Sequence, residues 1–193
     1  LAIRQNIKSR AYPKHIKKIL LIRRNRLGDS INVLPIIEAL KKNYPSIKIS
    51  VLANQYNAEI FSYSNDINKV YCINEKWGLG RITLYLNPTV RKLRLENFDL
   101  VISLGGFASM LSQISYCIKG KYSVGPESPE GNFNDLLFDF TVKKIQGKNN
   151  LHVDEMANIL KGARLKLPKK LPFPKLNATV TKKKNWLAIC PDV

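Results

Sequence analysis

Residues 17–30, KKILLIRRNRLGDS, constrain the fold of this chain more than any other stretch. Four apolar residues in a row, Ile19 to Ile22, stand between charged neighbours. A short apolar run with no polar alternation suits a parallel strand covered on both faces, because such a strand has no solvent side. A polar turn follows, and then Gly28, Asp29 and Ser30 open a helix. Gly28 has no Cβ and lets the backbone turn tightly or come close to a ligand. Asp29 and Ser30 are both good N-cap residues. In open α/β sheets, ligands bind at the carboxyl ends of strands, which is where this turn lies. A carboxylate there can cap the helix, serve as a base, or do both.

The same alternation runs down the chain. Ser30 to Tyr44 carries Val33, Ile36, Ile37, Leu40 and Tyr44 at helical spacing, with Lys41 and Lys42 in the last turn and Pro45 at the end. Pro35 is expected to kink its first turns. Ile47 to Ala53 reads as a second strand, Gln55 to Tyr63 as a short helix and Val70 to Ile73 as a third strand. Trp77 to Gly80 reads as a loop, and a basic helix spans about Pro88 to Asn97. Asp99 to Leu104 is the next strand, and Gly105-Gly106 at its carboxyl end opens a helix through Ile118. Lys121 to Val124 is a fifth strand, Gly125 to Asn134 a loop, and Asn150 to Leu165 an amphipathic helix. The expected fold class is therefore α/β, a Rossmann-like doubly wound parallel sheet. The expected division is a basic lead-in (1–16), the sheet domain (17–165), a proline- and lysine-bearing linker (166–184) and the first strand of a truncated further domain (185–193).

The 193 residues, 45% of them hydrophobic, support one domain with a real core. No apolar run approaches the ~18 residues of a membrane span. Cys72, Cys117 and Cys190 are far apart and show no metal-ligand or disulfide spacing, which fits core thiols in a reducing cytoplasm. The net charge of +18 is concentrated at the ends. Residues 1–28 hold nine Lys/Arg and no acid, and residues 156–193 hold nine Lys/Arg and one acid, whereas the middle is balanced. Such ends attract phosphate-bearing partners: anionic lipid, phosphorylated sugar or nucleic acid.

The turn R-x-R-L-G-D at Arg24 to Asp29 and the helix end L-K-K-N-Y-P at Leu40 to Pro45 resemble the start of glycosyltransferase family 9, which includes the lipopolysaccharide heptosyltransferases. Leu104-Gly105-Gly106 after Phe98 to Ile102 is similar to the family's second glycine turn. Leu151-His152-Val153-Asp154 resembles the start of the helix before its linker, and Trp186 to Pro191 resembles the first strand of its second domain. The match departs at Pro191-Asp192-Val193, where the family carries P-G-A, and at the bulky charged Arg24.

The resemblance implies the first half of a two-domain GT-B enzyme. In that arrangement the first domain holds the acceptor and the second, donor domain holds the nucleotide-sugar. It implies an inverting transfer, needing neither metal nor cofactor, of a heptose or related sugar. The donor would be ADP-heptose-like, and the acceptor a phosphorylated glycolipid of the lipopolysaccharide core or lipid A type. Asp29 matches the general base, and Arg23, Arg24, Arg26, Gly28, Gly105 and Gly106 the acceptor side. The implied setting is cytoplasmic, peripheral at the anionic inner-membrane surface. The 193 residues alone are then expected to be inactive, the donor half being absent.

Blander readings stand beside these. Asp29 serves as a helix cap only, Gly105 and Gly106 as tight-turn residues, and His152 as a helix-start residue. Two other classes of function remain open: a non-catalytic remnant, and a nucleic-acid-binding domain suggested by charge alone. Tyr and Phe do not interleave with the basic clusters as in single-strand binders, so nucleic acid is not the expected partner.

Overall fold

The computed structural model describes residues 10–24, 27–73, 81–105, 108–128, 131–145 and 152–174. Six strands form one sheet: β1 (Lys18–Ile22), β2 (Lys48–Asn54), β3 (Lys69–Ile73), β4 (Leu100–Ser103), β5 (Tyr122–Pro126) and β6 (Phe140–Val142). All adjacent pairs are parallel, in the order β3-β2-β1-β4-β5-β6. The apolar run Ile19 to Ile22 lies in the central strand β1. Ile19 lies across from Ile49 of β2 on one side and Leu100 of β4 on the other. Ile19 to Ile22 are completely buried because both faces of the sheet are covered.

Seven α-helices lie among the described residues: α1 (Leu27–Ile31), α2 (Leu34–Asn43), α3 (Ala58–Ser62), α4 (Arg81–Leu86), α5 (Pro88–Leu95), α6 (Ala108–Ile118) and α7 (His152–Gly162). Ile19 and Leu21 pack with Ile36, Ile37 and Leu40 of α2, Phe61 of α3, and Met156, Ile159 and Leu160 of α7. Leu20 and Ile22 point the other way, to Leu84 of α4, Val90 and Leu93 of α5, and Leu111 and Ile114 of α6. Strand alternation thus divides the apolar side chains into two cores, one per face.

The expected helix from Ser30 to Tyr44 is two helices. α1 begins earlier, at Leu27, and the chain breaks before α2, which places Pro35 in the first turn of α2. There the missing N–H of proline costs little, because first-turn donors have no helical acceptor. The stretch expected to be a loop after Gly125 instead extends β5 to Pro126 and adds a 3₁₀ turn (Phe133–Leu137). Asn132 and Asp135 close that turn with a reciprocal capping box, and the three-residue edge strand β6 follows. The expected strand at 185–191, residues 175–184 of the linker and residues 1–9 of the lead-in lie outside the described residues. The described part of the linker returns to the domain: the Lys166 amide donates to the Tyr44 hydroxyl (3.0 Å), and Asn43 Nδ2 donates to the Lys166 carbonyl (2.9 Å).

The chain winds outward from β1 through β2 to β3, then restarts on the opposite flank of β1 with β4. The carboxyl ends of β1 and β4 therefore diverge into loops that run to opposite faces, leaving a crevice between them.

Candidate functional site

Arg23 follows β1 directly, and its amide still extends the ladder to the Leu52 carbonyl (3.0 Å). Its side chain is 4% exposed and crosses the crevice. Nη1 donates to the Leu104 carbonyl at the end of β4, and Nη2 pairs with Asp29 Oδ2 at 2.6 Å. Burial pulls the guanidinium below its ordinary pKa, and the Asp29 carboxylate draws it back up. Arg23 Nε is buried with no hydrogen-bond partner among the described residues.

Asp29 is the third residue of α1, inside the helix, so it is not the N-cap the sequence suggested. Its side chain turns to Arg23 and keeps 18% of its surface exposed. Gly28, also within α1, has no positive φ, and among the described residues nothing outside its own helix and chain neighbours lies within 4 Å of where a Cβ would stand.

Gly105 has φ +81°, a region that side chains with a Cβ rarely enter. A Cβ there would lie 2.7 Å from Arg23 Nη1. The second glycine turn thus makes room for the arginine that holds Asp29. Arg24 is 6% exposed, and its Nη1 lies 2.8 Å from Met110 Sδ of α6. Arg26 and Gly106 lie outside the described residues. The structure therefore brings Arg23, Gly28, Asp29 and Gly105 to one crevice, with Arg24 buried beside it. Neither described arginine of the turn stands out in solvent as an acceptor clamp would.

Several supporting residues escaped the sequence reading. Asn57 is buried, and its Nδ2 donates to Ser30 Oγ (2.7 Å) and to the Arg23 carbonyl (3.2 Å). Asn54 Nδ2 donates to the Arg24 carbonyl (2.6 Å), and Asn54 and Asn57 each accept the other's amide at 3.0 Å. The β2–α3 loop so fixes both ends of the β1–α1 turn. A sequence signal existed in the N-x-x-N spacing after a strand, since Asn favours local side-chain-to-backbone bonds. His152 is the first residue of α7, as expected; its Nδ1 lies 3.6 Å from Glu155 and its ring is largely exposed among the described residues, not packed at a seam.

A cleft of about 930 Å³ opens elsewhere, between β6, α6 and α7. None of Arg23, Arg24, Gly28, Asp29 or Gly105 lines it, so size alone does not mark the site. What the crevice offers is one carboxylate, anchored through one oxygen by a buried cation and partly open to solvent. Such a group can take a proton from a bound hydroxyl while staying fixed in place.

No family model matches the sequence. Lipopolysaccharide heptosyltransferase 3 of Escherichia coli strain K12 is 39% identical over 79 residues, spanning 40% of this chain and 23% of the relative. A second Escherichia coli protein of the same description is 36% identical over 78 residues. A glycosyl transferase family 9 structure from Veillonella parvula superposes with TM-score 0.65 at 20% identity, over 83% of this chain and 45% of its own. The Escherichia coli heptosyltransferase WaaC with ADP gives 0.64 at 16% identity, over 79% of this chain and 49% of its own. The chain thus spans about a quarter of the curated relatives and about half of the solved structures it matches. The solved structures agree with the fold; the likeness to the curated relatives lies in a segment of 79 residues.

Proposed function

We propose that the chain belongs to glycosyltransferase family 9, the family of the lipopolysaccharide heptosyltransferases, and that it is the acceptor-side half of an inverting sugar transferase. The transfer moves a heptose or related sugar from a nucleotide-sugar, of the ADP-heptose kind, to a phosphorylated glycolipid of the lipopolysaccharide core. Asp29 is the general base. It receives the proton of the acceptor hydroxyl as that oxygen attacks the anomeric carbon, and the nucleoside diphosphate leaves from the opposite side. The donor's contacts come from a second domain following the linker. The setting is the cytoplasmic side of an anionic membrane, where such an acceptor is held.

One observation carries this reading: the carboxylate lies at the switch point of the sheet, where α/β folds bind ligands, and a buried arginine holds it. A cap needs no cation, yet Asp29 Oδ2 is 2.6 Å from Arg23 Nη2. Arg23 is spent inward, so the role this reading gives it is to position Asp29, and Arg24 is buried against Met110, so the acceptor's acidic groups fall to Arg26. Gly28 and Gly106 let the acceptor come near the backbone, while Gly105 leaves room for Arg23.

The test is Asp29→Asn in the complete two-domain enzyme. Turnover should fall by at least ~10²-fold with nucleotide-sugar binding retained, because the amide has no basicity to offer. Full activity of the Asn enzyme sinks the assignment.

A further inference from the structure

We propose that the outer face formed by α4, α5 and α6 docks on a membrane surface carrying anionic phospholipid. Ile82 and Leu86 of α4 are 78% and 57% exposed, and Leu95 at the end of α5 is 80% exposed. Tyr85 and Tyr116 stand out beside them. Isolated apolar side chains on a surface are ordinary. Here they lie on helices that one arginine ties together. Arg94 donates from Nε to the Cys117 carbonyl at the end of α6 (3.1 Å) and from Nη2 to the Tyr85 carbonyl of α4 (3.2 Å). Its guanidinium lies 4.0 Å from the centroid of the Tyr85 ring, and Lys119 Nζ lies 5.5 Å from the same ring. Arg94 thus ties α4, α5 and α6 side by side.

The charge on that surface has one sign. Residues 81–95 and 108–120 contain no Asp or Glu. Arg91, Lys92 and Lys119 are exposed and make no ion pair with a described carboxylate. Glu96, the acid next to Leu95, is occupied by Lys69 (2.7 Å) and the Tyr71 hydroxyl (2.6 Å). Aliphatic side chains reaching outward among unpaired cations, with tyrosines between them, are what the headgroup–acyl boundary of an anionic bilayer receives. Nucleic acid would be served by stacking rings, and Ile82, Leu86 and Leu95 cannot stack.

This location differs from the one the charge distribution suggested, the basic lead-in. Arg10 of that segment is not available to lipid: its Nε and Nη2 hold both carboxylate oxygens of Asp139 (2.9 and 2.7 Å). The inference deepens the reading of a membrane-held acceptor and rests on it only for its setting, since docking is measured without turnover.

The experiment is flotation of the complete protein with vesicles of phosphatidylcholine, alone or mixed with phosphatidylglycerol. Two paired variants probe the face, Ile82→Ser with Leu95→Ser and Arg91→Gln with Lys92→Gln, and Arg4→Gln with Lys8→Gln probes the lead-in. Binding should require phosphatidylglycerol and should fall roughly tenfold or more in each face variant, with the melting temperature unchanged. The lead-in pair should bind as the parent does. Unchanged binding of both face variants overturns the proposal, as does capture by a single-stranded oligonucleotide with none by vesicles. Vesicle binding by a protein that transfers no sugar supports the face and sinks the transferase reading. Transfer to a soluble acceptor fragment without vesicle binding sinks the face alone.

Discussion

Arg23 Nη2 stands 2.6 Å from Asp29 Oδ2 at the gap where the sheet reverses its winding. The guanidinium is almost wholly buried, so the pair is not a solvent-screened surface bridge. Removing the anion leaves a buried cation uncompensated, and Asp29→Asn should destabilise the fold by about 1–3 kcal/mol. The expectation is kept below that for a fully buried pair because Asp29 retains 18% exposure. Arg23→Met in the same background should recover part of that stability, read as a rise in melting temperature over Asp29→Asn alone. No recovery would mean that the two charges are not coupled.

Gly105→Ala tests the other wall of the crevice. The substitution puts a side chain at φ +81° and a carbon 2.7 Å from Arg23 Nη1. Backbone strain of about 1 kcal/mol and displacement of the arginine should add. Denaturant titration should give a loss larger than that of Gly131→Ala, which shares the positive φ but has nothing within 4 Å of its added Cβ. Equal losses at the two positions would show that the arginine yields freely.

How far the sequence could be read follows from these residues. The central strand was legible because four buried residues in a row leave no other reading, and both glycine turns could be placed at the sheet's carboxyl edge. The Arg23–Asp29 contact was not. N-cap preference is local, whereas the pairing depends on a carbonyl from β4, distant in sequence, to fix the guanidinium. α4 and β6 were also missed. RITLYL is rich in β-branched and aromatic residues and is helical where Leu84 packs into the core, while Phe140–Val142 is too short for a period to show.

Glu96 gives the fold an acid-sensitive tie. Hydrogen bonds from Lys69 and Tyr71, with a further one from Lys18, outweigh partial burial and bring its carboxyl from 4.5 to about 2. A carboxyl lowered on folding contributes stability that is full above its unfolded value. That contribution is lost as pH falls through its folded value. Between pH 4.5 and 2 the parent should therefore lose melting temperature more steeply than Glu96→Gln, whose side chain does not titrate. Parallel curves would remove Glu96 from the acid response.

Asn57 links the β2–α3 loop to the turn that carries Asp29. Asn57→Ala deletes the donor to Ser30 Oγ and to the Arg23 carbonyl inside the protein. Leaving those acceptors unmet should cost about 1–3 kcal/mol. Asn57→Asp keeps the acceptor for the Asn54 amide but replaces the donors by a buried carboxylate facing the Arg23 carbonyl, so its loss should exceed that of the alanine variant. Hydrogen exchange at Leu27–Ile31 should speed up in both, and unchanged protection there would separate the loop from the turn.

Arg23→Lys in the complete enzyme decides whether Arg23 positions the base or binds the acceptor. The arginine uses separate nitrogens for Leu104 and Asp29, so it fixes the carboxylate relative to β4 as well as neutralising it. A lysine keeps the charge, but its single ammonium cannot reproduce the planar fork that spans both partners. The carboxylate should then sit loosely, and a displacement of even ~1 Å in a reacting group can cost up to ~10²-fold. Turnover should fall by at least ~10-fold, with the Michaelis constants for donor and acceptor nearly unchanged. If Arg23 instead held an acidic group of the acceptor, the acceptor's Michaelis constant would rise while turnover at saturation persisted. That second pattern would return Arg23 to the acceptor-binding role the turn motif first suggested, and would leave the 2.6 Å contact with Asp29 as a feature of the fold alone.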